Sequence, residues 1–252
     1  MLIAPRVEVL ELSMSLLGAP SSVHPTLLWD ERDAVLIDAG FAGQLEQVRE
    51  QAERAGIALA RLTKLIVTHQ DIDHIGGISP LLAEEGEHVE VLAHELDRLY
   101  ISGEKRLLKA SPENLERLAG RMSSLPEEQR TAVVNAFLNT KARVDRSLAD
   151  GERLPYCGGI VVVHTPGHTP GHICLYLERT KTLVAGDALN VVEGRLAGPN
   201  PQSADDLSQA KHSLEKLAAY DIETVVCYHG GPYTGDVNTR IAELVEESTP
   251  DD

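Results

Sequence analysis

Basic residues are scarce. The 252-residue chain holds 23 Lys and Arg against 39 Asp and Glu, a formal net charge of −16. An acidic surface repels phosphate backbones, which removes nonspecific nucleic-acid binding as a default role. Cysteine is scarcer: Cys157, Cys174 and Cys227 are far apart, odd in number, and set in or beside apolar runs. No C-x-x-C motif is present, so the sequence offers no zinc–thiolate or dithiol chemistry, and the three read as buried free thiols of a reducing cytoplasm. The N-terminus, Met1 to Glu8, has neither a basic start nor a long apolar run. No secretory signal and no membrane span are therefore expected. Repeats, low-complexity tracts and Gly/Ser linkers are missing as well. With 42% hydrophobic content, residues 1–252 are expected to form one α/β domain.

What is present is a series of short apolar runs. Alternation over 7–12 predicts a half-buried strand. Residues 23–29 and 34–37 predict a hairpin turned by Asp30-Glu31-Arg32-Asp33, its second strand ending in Asp38. Leu45, Val48 and Ala52 share one face of a helix over 44–55, stopped by Gly56. Strands follow at 64–68 and 89–92, with a short helix at 80–85 between them. From 93 to about 145 the pattern turns helical, with starts at Ser111-Pro112-Glu113 and Leu125-Pro126-Glu127-Glu128. This stretch reads as an insertion, either padding for the sheet or a lid or pocket wall. Tyr100, Met122, Phe137 and Leu138 are its core or pocket-lining residues. Strands at 160–164, 173–177 and 182–185, a helix over 203–219 capped by Ser203, a strand at 224–227 and a helix over 237–247 complete the pattern. The acidic tail beyond is expected to fray.

The chemistry concentrates in Thr68-His69-Gln70-Asp71-Ile72-Asp73-His74-Ile75-Gly76-Gly77, directly after the apolar Leu65-Ile66-Val67. Burying two histidines and two carboxylates so close together is unfavourable unless a positive charge neutralises them. A metal ion does this by turning carboxylates and neutral imidazoles into ligands. Three later loops share the design of an apolar run followed by His or Asp beside Gly: Pro166-Gly167-His168, Gly186-Asp187 and His229-Gly230. In a layered α/β fold such strand ends converge on one edge. The reading is a two-metal hydrolytic site. Asp38, also at a strand end, is either a turn former or a group that orients a ligand from beneath. His172 reads as a structural hydrogen bond within its loop. His24, His88, His94, His164 and His212 have no partner at motif spacing, His164 being the nearest to the site.

In this order the four blocks resemble the metallo-β-lactamase superfamily, whose usual motif is His-x-His-x-Asp-His, followed by Pro-Gly-His, an Asp and a His. The resemblance runs from Asp38 to His229. It implies a four-layer αββα sandwich with a helical insertion at about 95–145. Position by position, it implies that His69 and His168 bind a first metal, that Asp73, His74 and His229 bind a second, and that Asp187 bridges the two. Asp71 departs from the pattern, standing where the usual motif has its second histidine. Either it binds the first metal through oxygen, or that position is weakened or empty. A carboxylate is an able ligand, so binding is the expectation; its hard, charged oxygen makes manganese or iron more competitive with zinc.

Two divalent cations about 3.5–4 Å apart can share a hydroxide, because coordination lowers the pKa of water to roughly 7. That hydroxide is the expected nucleophile, with Asp73 orienting it and passing a proton to the leaving group. Gly76 and Gly77 would leave space over the metals for substrate. Members of the family hydrolyse β-lactams, lactones, thioesters such as S-acyl glutathione, and phosphodiesters. The acidic charge argues against a nuclease, and the missing export signal against a β-lactamase. The Thr-Pro-Gly-His-Thr-Pro-Gly-His loop and the insertion resemble lactonases and other small-molecule hydrolases. The expectation is a cytoplasmic hydrolase of a small ester, lactone or thioester, N-acyl homoserine lactone among them. It would work without nucleic-acid or membrane partners, as a homodimer by generic precedent. The alternatives are a phosphodiesterase of the same fold, a non-catalytic scaffold, and a flavodiiron-like di-iron redox protein, which would also need a flavin domain.

Overall fold

The computed structural model describes residues 1–16, 19–86 and 88–247. Strands β1 (Leu2–Ala4), β2 (Val7–Val9), β3 (Leu12–Leu16), β4 (Ala19–Val23), β5 (Thr26–Trp29) and β6 (Ala34–Ile37) come first. Helix α1 (Leu45–Arg54) leads to β7 (Lys64–Val67), the short α2 (Ile72–Ile75) and α3 (Ile78–Glu85), and β8 (Glu90–His94). Helices α4 (Glu95–Ile101), α5 (Pro112–Arg121) and α6 (Glu127–Asn139) follow, with a 3-10 turn at Leu108–Ala110. The second half runs through β9 (Arg146–Leu148), β10 (Arg153–Leu154), β11 (Ile160–His164), β12 (Ile173–Leu177) and β13 (Thr182–Gly186). It ends with β14 (Asn190–Val192), β15 (Arg195–Ala197), α7 (Leu207–Leu217), β16 (Thr224–Cys227), β17 (Gly231–Thr234) and α8 (Val237–Glu246).

One sheet has the order β1-β2-β5-β6-β7-β8-β9 and the other β10-β11-β12-β13-β16-β17; β3-β4 and β14-β15 are separate ribbons. Side chains alternate across a strand, and this sets the layers. Val35 and Ile37 of β6 point between the sheets, where they join Ile66, Leu92, Val162, Leu175, Val184 and Val226. Leu36, with Leu65, Val67 and Val91, points the other way, onto Val48 and Ala52 of α1 and Ile78 and Leu81 of α3. The outer face of the second sheet, including Val163, Leu183 and Val225, packs on Leu214 and Leu217 of α7 and Ile241 and Leu244 of α8. The result is the expected αββα sandwich. Full burial of each such aliphatic side chain stabilises by about 1.5–3 kcal/mol. β6, β7, β8 and β9 run parallel, as do β13 and β16. Their C-terminal ends therefore open on a common edge, and the His- and Asp-bearing loops all leave from it.

Some sequence expectations shift. The strand predicted at 23–29 breaks at His24-Pro25: β4 pairs with β3, β5 pairs with β2 and β6, and the His24 N–H donates instead to the Tyr228 carbonyl at 3.0 Å. The run at 7–12 likewise divides between β2 and β3. The helix predicted from Ser203 starts at Leu207, capped by Asp206, whose carboxylate accepts from the Gln209 N–H at 2.9 Å. The reason lies in the preceding backbone. The N–H groups of Asp205 and Asp206 donate to the carbonyls of His168 and Gly167, so this segment is committed to holding the Pro-Gly-His loop. In the insertion Ser111 caps α5 as expected. Met122 is fully buried, Tyr100 and Phe137 pack against the core, and Leu138 is exposed. All three cysteines are buried and unpaired. No helix of the described residues is long and apolar enough to cross a membrane. The tail expected to fray lies beyond those residues.

Candidate metal centre

Asp38 organises the base of the site. It follows β6 directly, in the left-handed region at φ 59°, and is buried. One carboxylate oxygen accepts the Thr68 N–H at 2.8 Å; the other accepts the Thr68 hydroxyl at 2.7 Å and lies 2.8 Å from His74 Nδ1. With Nδ1 held there, His74 presents Nε2 to the centre. Asp38 is thus a positioning group, the second of its two sequence readings. The loop after Thr68 packs tightly on the backbone that follows Asp38. A Cβ on Gly77 would lie 2.1 Å from the Ala39 carbonyl oxygen, and one on Gly76 would lie 2.5 Å from the Ala42 nitrogen. These glycines make room for backbone, not for substrate, which corrects the sequence reading.

Asp97, at the start of α4, ties the loop of His69 to His74 to the loop of His168. Its buried carboxylate accepts from the Gln70 N–H (3.0 Å) and side-chain amide (3.1 Å), the Thr169 hydroxyl (2.7 Å) and the Gly171 N–H (2.8 Å). Burial nonetheless raises its pKa above the ordinary aspartate value. His172 lies between Thr165, 2.9 Å from Nδ1, and the Asp187 N–H, which donates to Nε2 at 3.0 Å. Burial, reinforced by His69 and His168, pushes its pKa well down, so it stands as a neutral acceptor. The loop carrying His229 is fixed by its neighbour. The Tyr228 ring stacks on His74 with centroids 3.7 Å apart, its hydroxyl donates to the Asp73 carbonyl, and His24 Nδ1 donates to the Tyr228 carbonyl at 3.0 Å.

These supports bring together the side chains singled out in the sequence. His69, Asp71, His168 and Asp187 form one group of ligand atoms, all within 4.8 Å of one another, and Asp73, His74 and His229 form a second. In the first group, Asp71 Oδ2 lies 3.2 Å from His69 Nε2 and 2.9 Å from His168 Nε2. In the second, Asp73 Oδ2 lies 3.3 Å from His229 Nε2 and 3.7 Å from His74 Nε2. Asp187 sits between the groups: Oδ2 is 3.4 Å from both His168 Nε2 and His229 Nε2, and Oδ1 is 3.3 Å from His74 Nε2. His69 Nε2, His74 Nε2 and Asp187 Oδ1 are buried with no hydrogen-bond partner among the described residues. Buried polar atoms are rarely left unpartnered, and unpaired imidazole nitrogens beside carboxylates fit a cation. The cluster is therefore able to bind metal.

The protein charges alone are strongly coupled. Burial opposes the charge on Asp71, but the Lys109 ammonium, then His69, hold its pKa well below the carboxylate range. Burial opposes Asp187 too and is outweighed by His229, His168 and His74. His69 is pushed down to about 3 by burial and by His74. Burial would also lower His74 and His229, but Asp38 raises the first well above its usual value, and Asp187 raises the second to about 10.

Lys109, which no motif signalled, enters the cluster from the insertion. Its ammonium contacts Asp71 Oδ2 and lies 3.1 Å from His168 Nε2. Beside it opens a cleft of about 650 Å³ lined by Lys109, Arg117, Arg121, Phe137, His168 and Asp205, among others. His164 and His94, distant in sequence, stack on each other with centroids 4.0 Å apart, and His164 Nε2 also bonds the Pro170 carbonyl. They buttress the loop from outside the cluster.

Comparison with known proteins matches this architecture. The metallo-beta-lactamase superfamily model aligns with residues 18–229. The chain is 33% identical over 216 residues to the probable metallo-hydrolase YflN of Bacillus subtilis (strain 168), covering 80% of this chain and 76% of that protein. It is 30% identical over 213 residues to the hydroxyacylglutathione hydrolase GloC of Haemophilus influenzae, covering 83% of this chain and 85% of that one. Among solved structures, a metallo-beta-lactamase family protein from Thermus thermophilus superposes with a TM-score of 0.71 at 25% identity, over 98% of this chain and 80% of the other. A family match spanning both sheets, with the cluster's His and Asp residues carried by segments that follow strand ends on one shared edge, means that the chain belongs to the metallo-beta-lactamase superfamily.

Proposed function

We propose that this protein is a metal-dependent hydrolase of a small ester, lactone or thioester. The observation that carries the reading is the pair of His/Asp groups meeting at Asp187 beside an open, cation-lined cleft. His69, Asp71 and His168 would hold one divalent cation, Asp73, His74 and His229 another, and Asp187 would contact both. Zinc suits the imidazoles, and the Asp71 oxygen admits manganese or iron. Cations bound there supply Lewis acidity, polarising the scissile carbonyl and lowering the pKa of water to about 7.

The chain's own residues do the rest. Asp38 and His172 fix the orientation of His74 and Asp187, the role that outer partners play at metal sites. Asp73 is the most open carboxylate of the cluster, with 16% of its side chain exposed against 6% for Asp71 and 7% for Asp187. In this reading it would take a proton from the attacking water and return it to the leaving group, and its greater exposure supports that assignment. Within the substrate classes, the cleft favours thioesters. Lys109, Arg117 and Arg121 suit a carboxylate-bearing thiol or acyl part, and GloC is named for hydrolysis of such a compound.

The test is a metal and substrate survey of untagged protein. Turnover of a carboxylate-bearing thioester should disappear on chelation and return with zinc. Asp187→Ala should lose bound metal and turnover together. Activity on lactones, esters and thioesters that all survive chelation, or an Asp187→Ala protein with metal and turnover intact, would overturn the reading.

A further inference from the structure

We infer that Lys109 is a tethered cation that competes with a metal for the His69/Asp71/His168 half of the centre, so that the chain binds one divalent cation tightly and a second only weakly. This rests on the metal-centre reading above and specifies how unequally its two halves fill.

The lysine is delivered by a built support. Its 3-10 turn, Leu108–Ala110, is gripped from both sides: the Leu108 N–H donates to the Gln70 side-chain carbonyl at 2.9 Å, and the Asn114 amide donates to the Leu108 carbonyl at 3.2 Å. Gln70 is itself held by two hydrogen bonds to Asp97. The flanking Leu107 and Ala110 are buried in the core. With the backbone pinned, the side chain runs along the wall of the cleft, and Nζ ends against Asp71 Oδ2 and 3.1 Å from His168 Nε2.

Both contacted atoms belong to the first group, and neither belongs to the second. An imidazole nitrogen carries one in-plane lone pair or one hydrogen. If His168 Nε2 accepts from Lys109, or if it donates to Asp71 at 2.9 Å, its lone pair is not available to a metal. The ammonium also adds positive charge at the carboxylate oxygen that the metal would use. The second group carries no such burden. Asp73, His74 and His229 face one another without a lysine or arginine among their ion-pair partners in the described residues. Filling the first half requires Lys109 to withdraw toward the cleft, where 29% of its side chain is already exposed.

The experiment is a zinc titration of stripped, untagged full chain against a chromophoric chelator. Wild type should take up one tight equivalent and a second about 10- to 100-fold weaker, the range over which groups touching metal ligands alter affinity. Lys109→Met should tighten the second equivalent by that factor. Lys109→Arg, keeping the charge, should retain the wild-type pattern, and His69→Ala in the Lys109→Met background should remove the gained equivalent. Two equally tight equivalents in wild type overturn the proposal while leaving the metal-centre reading intact. So does a folded Lys109→Met protein, its melting matched to wild type, whose second equivalent is unchanged. Lys109→Gln serves as the neutral variant if Lys109→Met aggregates. If no protein of the series binds zinc, the metal-centre reading fails and this inference with it.

Discussion

His74 is committed by its neighbours. Asp38 at 2.8 Å from Nδ1 fixes the proton there and aims Nε2 at Asp73 and Asp187. Truncating Asp38 would remove the carboxylate that holds Nδ1, leaving the ring to Tyr228 and the Thr68 hydroxyl, and would leave the Thr68 N–H unpaired. Asp38→Ala is expected to weaken zinc binding about 10- to 100-fold, read by chelator competition; unchanged affinity would remove its positioning role. His229 carries a pH signature. In metal-stripped protein burial would lower its pKa, but Asp187 and then Asp73 raise it to about 10. A group raised in the folded state stabilises fully below its unfolded value, near 6.5, and that stability is lost as pH climbs through the folded value. The melting temperature of stripped protein should therefore fall from about pH 6.5 toward 10, and fall less in His229→Gln. A divalent cation held by these ligands would compete with the same protons, so the stabilising increment from added zinc should grow over the same window. Parallel melting curves for wild type and His229→Gln would contradict the assignment.

At the scale of elements, legibility follows the locality of the forces. The strands before each reactive loop are short apolar runs that read directly, and the histidines and aspartates that follow them stand out because such groups rarely end a buried strand. Loop supports are another matter. Asp97 serves Gln70, Thr169 and Gly171, and Lys109 reaches Asp71 and His168, but every one of these partners is distant in sequence and no local pattern marks them. The start of α7 is hidden for the same reason, because Asp205 and Asp206 give their N–H groups to His168 and Gly167. Short edge strands such as β9, β10 and β17 have too few apolar residues to register. Gly167 shows what the α7 contact requires. Its φ is 128°, and a Cβ there would lie 2.1 Å from the Ala210 nitrogen. Gly167→Ala should destabilise the fold by about 2 kcal/mol or more, lowering the melting point by roughly 4–8 °C, and should loosen zinc by displacing His168. A variant melting within about 1 °C of wild type would show that this approach is not required.

At the scale of the molecule, charge is distributed against its total. The chain carries a net −16, a field that repels any anionic substrate. The insertion counters this locally, since α5 supplies Arg117 and Arg121 and the preceding turn supplies Lys109, all to one cleft. The helices that form this wall bury no residue completely, so the sandwich does not depend on their arginines, and the wall is free to set which substrates approach. Arg117→Ala/Arg121→Ala should then raise KM for a carboxylate-bearing thioester about ten-fold or more, roughly the loss of one charge-assisted contact. Neither kcat nor the KM of an uncharged ester should change by more than about two-fold, because a mutation that removes uniform binding raises KM alone. Added salt should raise the wild-type KM for the anion and leave the double variant nearly flat, since exposed charges are screened over about 10 Å at 0.1 M. Equal losses on charged and uncharged substrates would mean instead that the arginines shape the wall and do not read charge, and an oxygen or thio ester without a carboxylate would become the better candidate.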